Sequence, residues 1–254
     1  MSLTTIRRPR LSTGVFTDEE LDYYDSLGPD CFPEEEENRV GETDYHYLSI
    51  HTAFELLKRV YPDPSDVHIA ANNFIYWDRN EKGLVVAPDL YVVKGAGRRI
   101  RGVYKTWEEG GRTPDVVFEF ASDKTWQSDL SGKKDLYERA LGVREYFLFD
   151  PVGGRYPVKL QGFRLAQGEY QPIPLMGDRL TSDQLGLDLL ADGLYLRFFD
   201  PDCGELIPTT EEIEQLREKA EAAVEAETRA RREAEAELAR LRAELETLRG
   251  GTSR

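Results

Sequence analysis

Two short runs that are apolar on both faces, "PDVVFEFAS" at residues 114–122 and "VREYFLFDP" at 143–151, flank the segment "SDLSGKKDLYERALG". Side chains alternate across a strand, so Val116, Phe118 and Phe120 share one face, and Val117 and Ala121 share the other. A strand apolar on both faces belongs in the middle of a covered sheet. The intervening segment places Leu130, Leu136, Tyr137, Ala140 and Leu141 on one packing face of a helix, with Gly142 as its C-terminal cap. Strand, helix and strand in that order form a crossover, which makes the two strands parallel. Glu119 lies on the Val117/Ala121 face of the first strand, a carboxylate where every neighbour is apolar.

The rest of the chain is read around this unit. A helix is expected from about Glu42 to Tyr61, with Leu48, Leu56, Leu57 and Val60 at helical spacing and Pro62 ending it. The runs "VHIAANNFIYW" and "GLVVAPDLYVVKG" read as two further strands, and 159–208 as short strands with glycine turns. The fold class expected is α/β, an α+β mixed sheet flanked by helices with an antiparallel extension and a long C-terminal helix. The expected divisions are an acidic, poorly ordered segment over 1–41, a globular domain over 42–208, a coiled-coil helix over 209–249 and a flexible tail over 250–254. The segment after Pro208 is rich in Ala, Glu, Arg and Leu, and Leu238, Leu241, Leu245 and Leu248 follow 3-4-3 spacing. A solitary charged helix is one outcome. Self-association as a homodimer, or capture of a partner protein, is favoured because the leucine seam otherwise lies in water.

The net charge of −15 argues at first against a nucleic-acid partner, but the acid is concentrated in the flanks. Residues 1–44 hold 12 acidic side chains against 4 basic ones, and 205–254 hold 13 against 9. The interval 94–105, "KGAGRRIRGVYK", is instead locally basic, with Lys94, Arg98, Arg99, Arg101 and Lys105. A solvated hairpin tip is its plainer reading; contact with a phosphate backbone is the functional one. No apolar run approaches the roughly 20 residues of a membrane span, and the N-terminus lacks an apolar signal core. A cytoplasmic location follows as an expectation, with Cys31 and Cys203 as thiols rather than a disulfide pair.

Asp89 interrupts "LVVAPDLYVV" much as Glu119 interrupts its own strand. Buried carboxylates are costly unless paired, and two of them repel unless a positive charge lies between. Two strand carboxylates converging in one sheet suit a Mg²⁺ ion completed by waters; capping of a turn or pairing with arginine is the alternative for each. Lys133, one turn ahead of Leu136 and Tyr137, reaches the same site from the crossover helix, with Lys134 its rival on spacing. Asp129 pairs with Lys133 or caps the helix.

The ordered set "APD" around Asp89, "PDVVFEFAS" with Glu119, Asp129-x-x-x-Lys133-x-x-x-Tyr137 and "GVREYFLFDP" resembles the Uma-type endonuclease family. That family belongs to the PD-(D/E)XK, restriction-endonuclease-like superfamily, and the resemblance spans about residues 40–200. It implies a nuclease domain and a Mg²⁺-dependent hydrolase (Mn²⁺ the alternative ion) cutting DNA phosphodiester bonds. In it Asp89 is the Asp of the "PD" motif, Glu119 is the acidic "(D/E)", and Lys133 is the lysine displaced to the helix. Ala121 stands where the superfamily's short motif has its lysine. Glu42 resembles the helix-borne acid that completes such metal sites, with Asp44 and Glu55 competing for the role. His46 shares a helical face with Glu42 and is expected as a core or surface histidine. The rival from another class is a catalytically silent nuclease fold acting as a binding or scaffold protein through the coiled coil. A further alternative has the acidic N-terminal segment mimicking DNA over the groove.

Overall fold

The computed structural model describes residues 43–63 and 65–251, together with Ser26 and Gly28, with side chains described as far as Glu246. The rest of the acidic segment 1–41 with Cys31, Glu42, Pro64 and the tail 252–254 lie outside the described residues. The chain divides after Ile207 into two compact units, taken separately below.

The first unit opens with α1 (Asp44–Val60), whose Ile50, Ala53, Leu56 and Leu57 are buried. These recur at the three- and four-residue spacing of one helical face, which is why the segment folds as an amphipathic helix. Strands β1 (Val67–Ala70), β4 (Leu90–Lys94), β6 (Val116–Phe120), β7 (Glu145–Phe149), β8 (Leu160–Ala166) and β9 (Glu169–Pro172) form one sheet in that spatial order. The pair β6/β7 is parallel and every other neighbour antiparallel. The parallel pair is the predicted crossover, and all five residues of each strand are buried.

Strand alternation splits the core as expected. Val116, Phe118 and Phe120 join α1 in one apolar cluster, whereas Val117 and Ala121 join the cluster on the crossover face. The α1 face is also covered by Leu180, Leu187, Leu189, Leu196 and Phe198. These come from β10 (Arg179–Ser182), β11 (Leu187–Asp192) and β12 (Tyr195–Asp200), which with β13 (Glu205–Leu206) make an antiparallel sheet. At Gly162 on β8 the sheet is packed so closely that a Cβ would lie 2.7 Å from the Phe147 ring, so a bare backbone is required there.

Three expectations need correction. "VHIAANNFIYW" is not one strand: β1 stops at Ala70, Asn72 turns the chain with φ of 55°, and β2 (Ile75–Tyr76) joins a separate sheet. "GLVVAPDLYVVKG" likewise splits into β3 (Val85–Val86) and β4, with Asp89 in the break rather than within a strand. Pro88 has no N–H to give a ladder, which accounts for the break where it falls. The small sheet β3-β2-β5 is closed by β5 (Tyr104–Lys105).

The crossover helix is also discontinuous. It consists of α2 (Trp126–Asp129), α3 (Gly132–Leu136) and a π-helical turn over Tyr137–Leu141. Ser131 leaves helical geometry and Gly132 is a weak helix former, so the break follows local preference. Gly142 ends the run in the left-handed region, as its predicted capping role requires.

The second unit is α4 (Thr210–Gly251). Its start is a capping box: Thr209 Oγ1 accepts from the Glu212 amide, and Glu212 Oε2 accepts from the Thr209 amide. Arg217 with Glu221 and Arg231 with Glu235 are ion-paired one turn apart. Leu238, Leu241 and Leu245 of the seam are about half exposed on this single chain, and Leu248 lies beyond the described side chains. Among the described residues no helix is long and apolar enough to cross a membrane.

Candidate active site

Glu119 is fully buried in mid-β6 and points, as alternation dictates, toward the crossover helix. Its carboxylate has three partners. Lys133 Nζ donates to Oε2 at 2.9 Å, the Tyr137 hydroxyl donates to Oε1 at 2.6 Å, and the Asp89 amide approaches Oε2 at 3.4 Å. The four-residue step from Lys133 to Tyr137 brings both donors to one face despite the broken helix.

Asp89 sits in the break before β4, which pairs with β6. Its Oδ2 accepts from the Phe120 amide at 2.7 Å, and His46 Nε2 lies 3.5 Å from the same oxygen. His46 Nε2 is also 3.0 Å from the Phe120 carbonyl. A carbonyl only accepts, so that nitrogen carries a proton. Of the predicted trio, Lys133 meets the Glu119 carboxylate directly, and Asp89 is joined to Glu119 through the Asp89 and Phe120 amides.

A fourth charged group joins them. Asp129, fully buried, places Oδ1 2.9 Å from Lys133 Nζ, without the alignment of a hydrogen bond. Its Oδ2 accepts from the Tyr156 hydroxyl at 2.8 Å, and its carbonyl accepts from the Tyr146 hydroxyl at 2.9 Å. Tyr156 is held in place by Asp150, whose side chain accepts from the amides of Gly153, Arg155 and Tyr156.

The electrostatics are those of a surplus of buried negative charge. Burial, reinforced by repulsion from Asp89 and Asp129, pushes the Glu119 carboxyl well above its usual range, although Lys133 pulls the other way. Asp129 is raised for the same reasons, burial first. Asp89 goes down instead: burial acts against its charge, but the hydrogen bond with His46, the nearby Lys133 ammonium and the Phe120 amide outweigh it. Burial disfavours the Lys133 ammonium, yet Glu119, Asp129 and Asp89 together raise it above an ordinary lysine. Three carboxylates face one ammonium and one histidine. Carboxylate pKa values driven apart in this way are a mark of acid–base sites.

Glu119 from β6 and Asp89 from the break before β4 offer hard oxygen donors, and the surplus negative charge favours a divalent cation, so the donor chemistry fits Mg²⁺ or Mn²⁺. Among the described residues, however, no three His, Cys, Asp or Glu side chains form a ready metal cluster. Any such ion would therefore rest on two carboxylates and the Phe120 carbonyl, with water supplying the rest. Glu42 lies outside the described residues. Its named competitors Asp44 and Glu55 are on α1; Glu55 pairs with Lys58 instead.

Residues 44–192 match the family described as "Uma2: Putative restriction endonuclease". The chain belongs to that family. A crystal structure titled as a putative nuclease belonging to DUF820 from Anabaena variabilis is similar at a TM-score of 0.42 and 13% identity. The likeness covers 58% of this chain and 76% of that one. No curated protein matches.

Within this Uma2 chain the predicted basic residues do not form one solvent-facing front. Arg101 is turned inward: its guanidinium grips Glu109, donates to the Ala96 carbonyl at 2.8 Å and meets His68 Nδ1 at 3.0 Å. Arg98 donates to the Tyr61 carbonyl at 2.7 Å, Arg99 is paired with Glu109, and Lys105 with Glu108 at 3.5 Å. Lys94 is anchored through its amide to Asp115. Lys134, the rival of Lys133, packs over the Phe163 ring at 3.8 Å instead. His46, expected as a core or surface residue, is buried against Asp89. Helical spacing gives a shared face but not what faces it. Tyr156 carries no periodic signal because its loop is irregular; the Asp-x-x-Gly spacing of Asp150 and Gly153 is the one local signal, a turn held by a carboxylate.

Proposed function

We propose that the protein is a metal-dependent endonuclease that hydrolyses DNA phosphodiester bonds, with Asp89, Glu119 and Lys133 as its catalytic residues. The observation that carries this is the contact of Lys133 Nζ with Glu119 Oε2 at 2.9 Å, with the Asp89 amide on that same oxygen. On this reading Lys133 supplies, from a helix, the lysine that Ala121 leaves out of the strand.

Asp89 and Glu119 would hold Mg²⁺ or Mn²⁺, and the bound ion would lower the pKa of a water and polarise the phosphoryl group. The chain's own groups do the positioning. Tyr137 and the Asp89 amide fix the Glu119 carboxylate, and His46 fixes both Asp89 and the Phe120 carbonyl. Lys133, the partly exposed cation of the set, orients the attacking water and offsets the charge that grows on the phosphate. Asp129 and Tyr156 hold Lys133 from behind. Asp89→Ala and Glu119→Ala should each lower Mg²⁺-dependent cleavage of plasmid DNA by at least about 100-fold, with circular dichroism unchanged. Cleavage at wild-type rates by both variants overturns the assignment.

Two observations favour the rival reading, a silent nuclease fold serving as a scaffold: Lys133 is already held by two carboxylates, and no ready three-ligand cluster is present among the described residues. Calorimetry separates the two. The endonuclease binds Mg²⁺ or Mn²⁺ in a manner that Asp89→Ala removes, and the scaffold does not. The seam of α4 fits a homodimer or a partner protein as an accompanying part of either reading.

A further inference from the structure

A groove of about 710 Å³ lies between α1, β1 and the loop 98–101. That volume falls within the rough 300–1,000 Å³ of small-molecule sites. Tyr47, His51, Phe54 and Lys58 line one wall, at steps of four, three and four residues along α1. Tyr47 is 56% exposed, and its ring stacks on His51 at 5.7 Å with an interplanar angle of 8°. The opposite wall carries Arg98 and Arg99, and no acidic side chain lines the groove among the described residues. In a chain of net charge −15 this is a local exception.

Two buried donors on the lining have no acceptor among the described residues. His68 is 3% exposed, and its Nε2 is unpartnered; Arg98 Nε is unpartnered as well. The tautomer of His68 follows from its neighbour. Nδ1 faces the Arg101 guanidinium at 3.0 Å, and a guanidinium only donates, so Nδ1 accepts and the proton sits on Nε2. Burial, helped by Arg101, lowers His68 to about 4, leaving it neutral near pH 7. Unpaired buried N–H groups are rare in folded proteins and point to a missing acceptor.

The groove is tied to the segment that carries Asp89 through the backbone. Asn72 is on its lining, and the Asn72 amide bonds the carbonyls of Pro88 and Asp89 at 3.1 and 3.3 Å. Tyr47 follows His46 in sequence, the residue that contacts Asp89.

We infer that the groove binds an unpaired nucleotide of a single nucleic-acid strand, its base stacked on Tyr47 and its acceptor groups met by His68, Arg98 and Arg99. A duplex keeps its bases stacked inside and cannot offer one to Tyr47 without unpairing, so single-stranded or locally opened DNA is preferred. Stacking of a base on an aromatic ring tolerates any sequence. A role for the groove beside a scissile phosphate rests on the nuclease reading; the binding itself does not.

The test is fluorescence anisotropy with the full chain in EDTA, using a labelled oligo(dT), the same backbone with abasic sites, and a blunt duplex of mixed sequence. The oligo(dT) should bind tightest of the three. Tyr47→Ala should weaken it by roughly 5- to 150-fold, Tyr47→Phe should restore it, and the abasic strand should not respond to either change. His68→Phe keeps an aromatic ring in place and should still weaken binding. A preference for duplex, equal binding of the abasic strand, or affinity unmoved by Tyr47→Ala overturns the inference, as does a groove that binds none of the three. Because no metal is present, loss of cleavage in Asp89→Ala with groove binding intact counts against the nuclease reading alone.

Discussion

Lys133→Met is expected to cost about 3–5 kcal/mol of folding stability near neutral pH, because it leaves buried carboxylates without their cation. The loss is read from urea denaturation, and its pH dependence separates it from a simple packing defect. In the wild-type chain Lys133 is raised above an ordinary lysine, so its contribution is fully present below about 10.5 and fades only at strongly alkaline pH. Glu119 has the opposite effect: burial raises it above its ordinary 4.5. The folded state therefore prefers the proton, and stability falls as pH rises from the ordinary carboxylate range toward the raised value. Removing the ammonium moves Glu119 and Asp129 further up. The variant should thus lie closest to wild type at pH 4 to 5 and furthest from it at pH 8. A deficit that is the same at pH 5 and pH 8 contradicts this account of the site.

Phe118→Ala should cost a similar amount, about 3–5 kcal/mol, but with no such pH dependence. Phe118 is buried on the opposite face of β6 from Glu119, 5.3 Å from the Phe147 ring and 6.1 Å from Phe198. It ties the central sheet to β12, and its removal leaves a cavity that these two rings cannot fill without moving. The urea midpoint should drop equally at pH 5 and pH 8 with little change in slope. Comparison of the two variants distinguishes what the two faces of one strand do, since one carries packing and the other carries charge.

Much of this arrangement was legible in the sequence because strand alternation is strict. The apolar residues at 116, 118 and 120 assign one face of β6, and Glu119 then has only the crossover side to point to. The parallel pair followed from the helix between the two runs. The Asp129, Lys133, Tyr137 spacing put those three groups on one helical stripe. What escaped were features with no periodic signature. The π turn after Leu136 leaves the helical pattern of apolar residues nearly unchanged. Tyr156 reaches Asp129 from an irregular loop, and His46 is set against Asp89 only by the docking of α1 on the sheet. Asp89 is legible as a site candidate, but the apolar run around it hides the break that Pro88 signals.

The Asp89 amide donates to the Glu119 carboxylate, while the Phe120 amide donates to the Asp89 carboxylate. Each acid is thus bonded to the backbone that carries the other, so opening either bond shifts the segment before β4 against β6. Their hydrogen exchange should therefore follow global unfolding, and slow together when the fold is stabilised, whereas amides at exposed helix ends exchange through local opening. A site latched in this way is a clock for the whole domain: the protection of two backbone protons reports whether the sheet is intact.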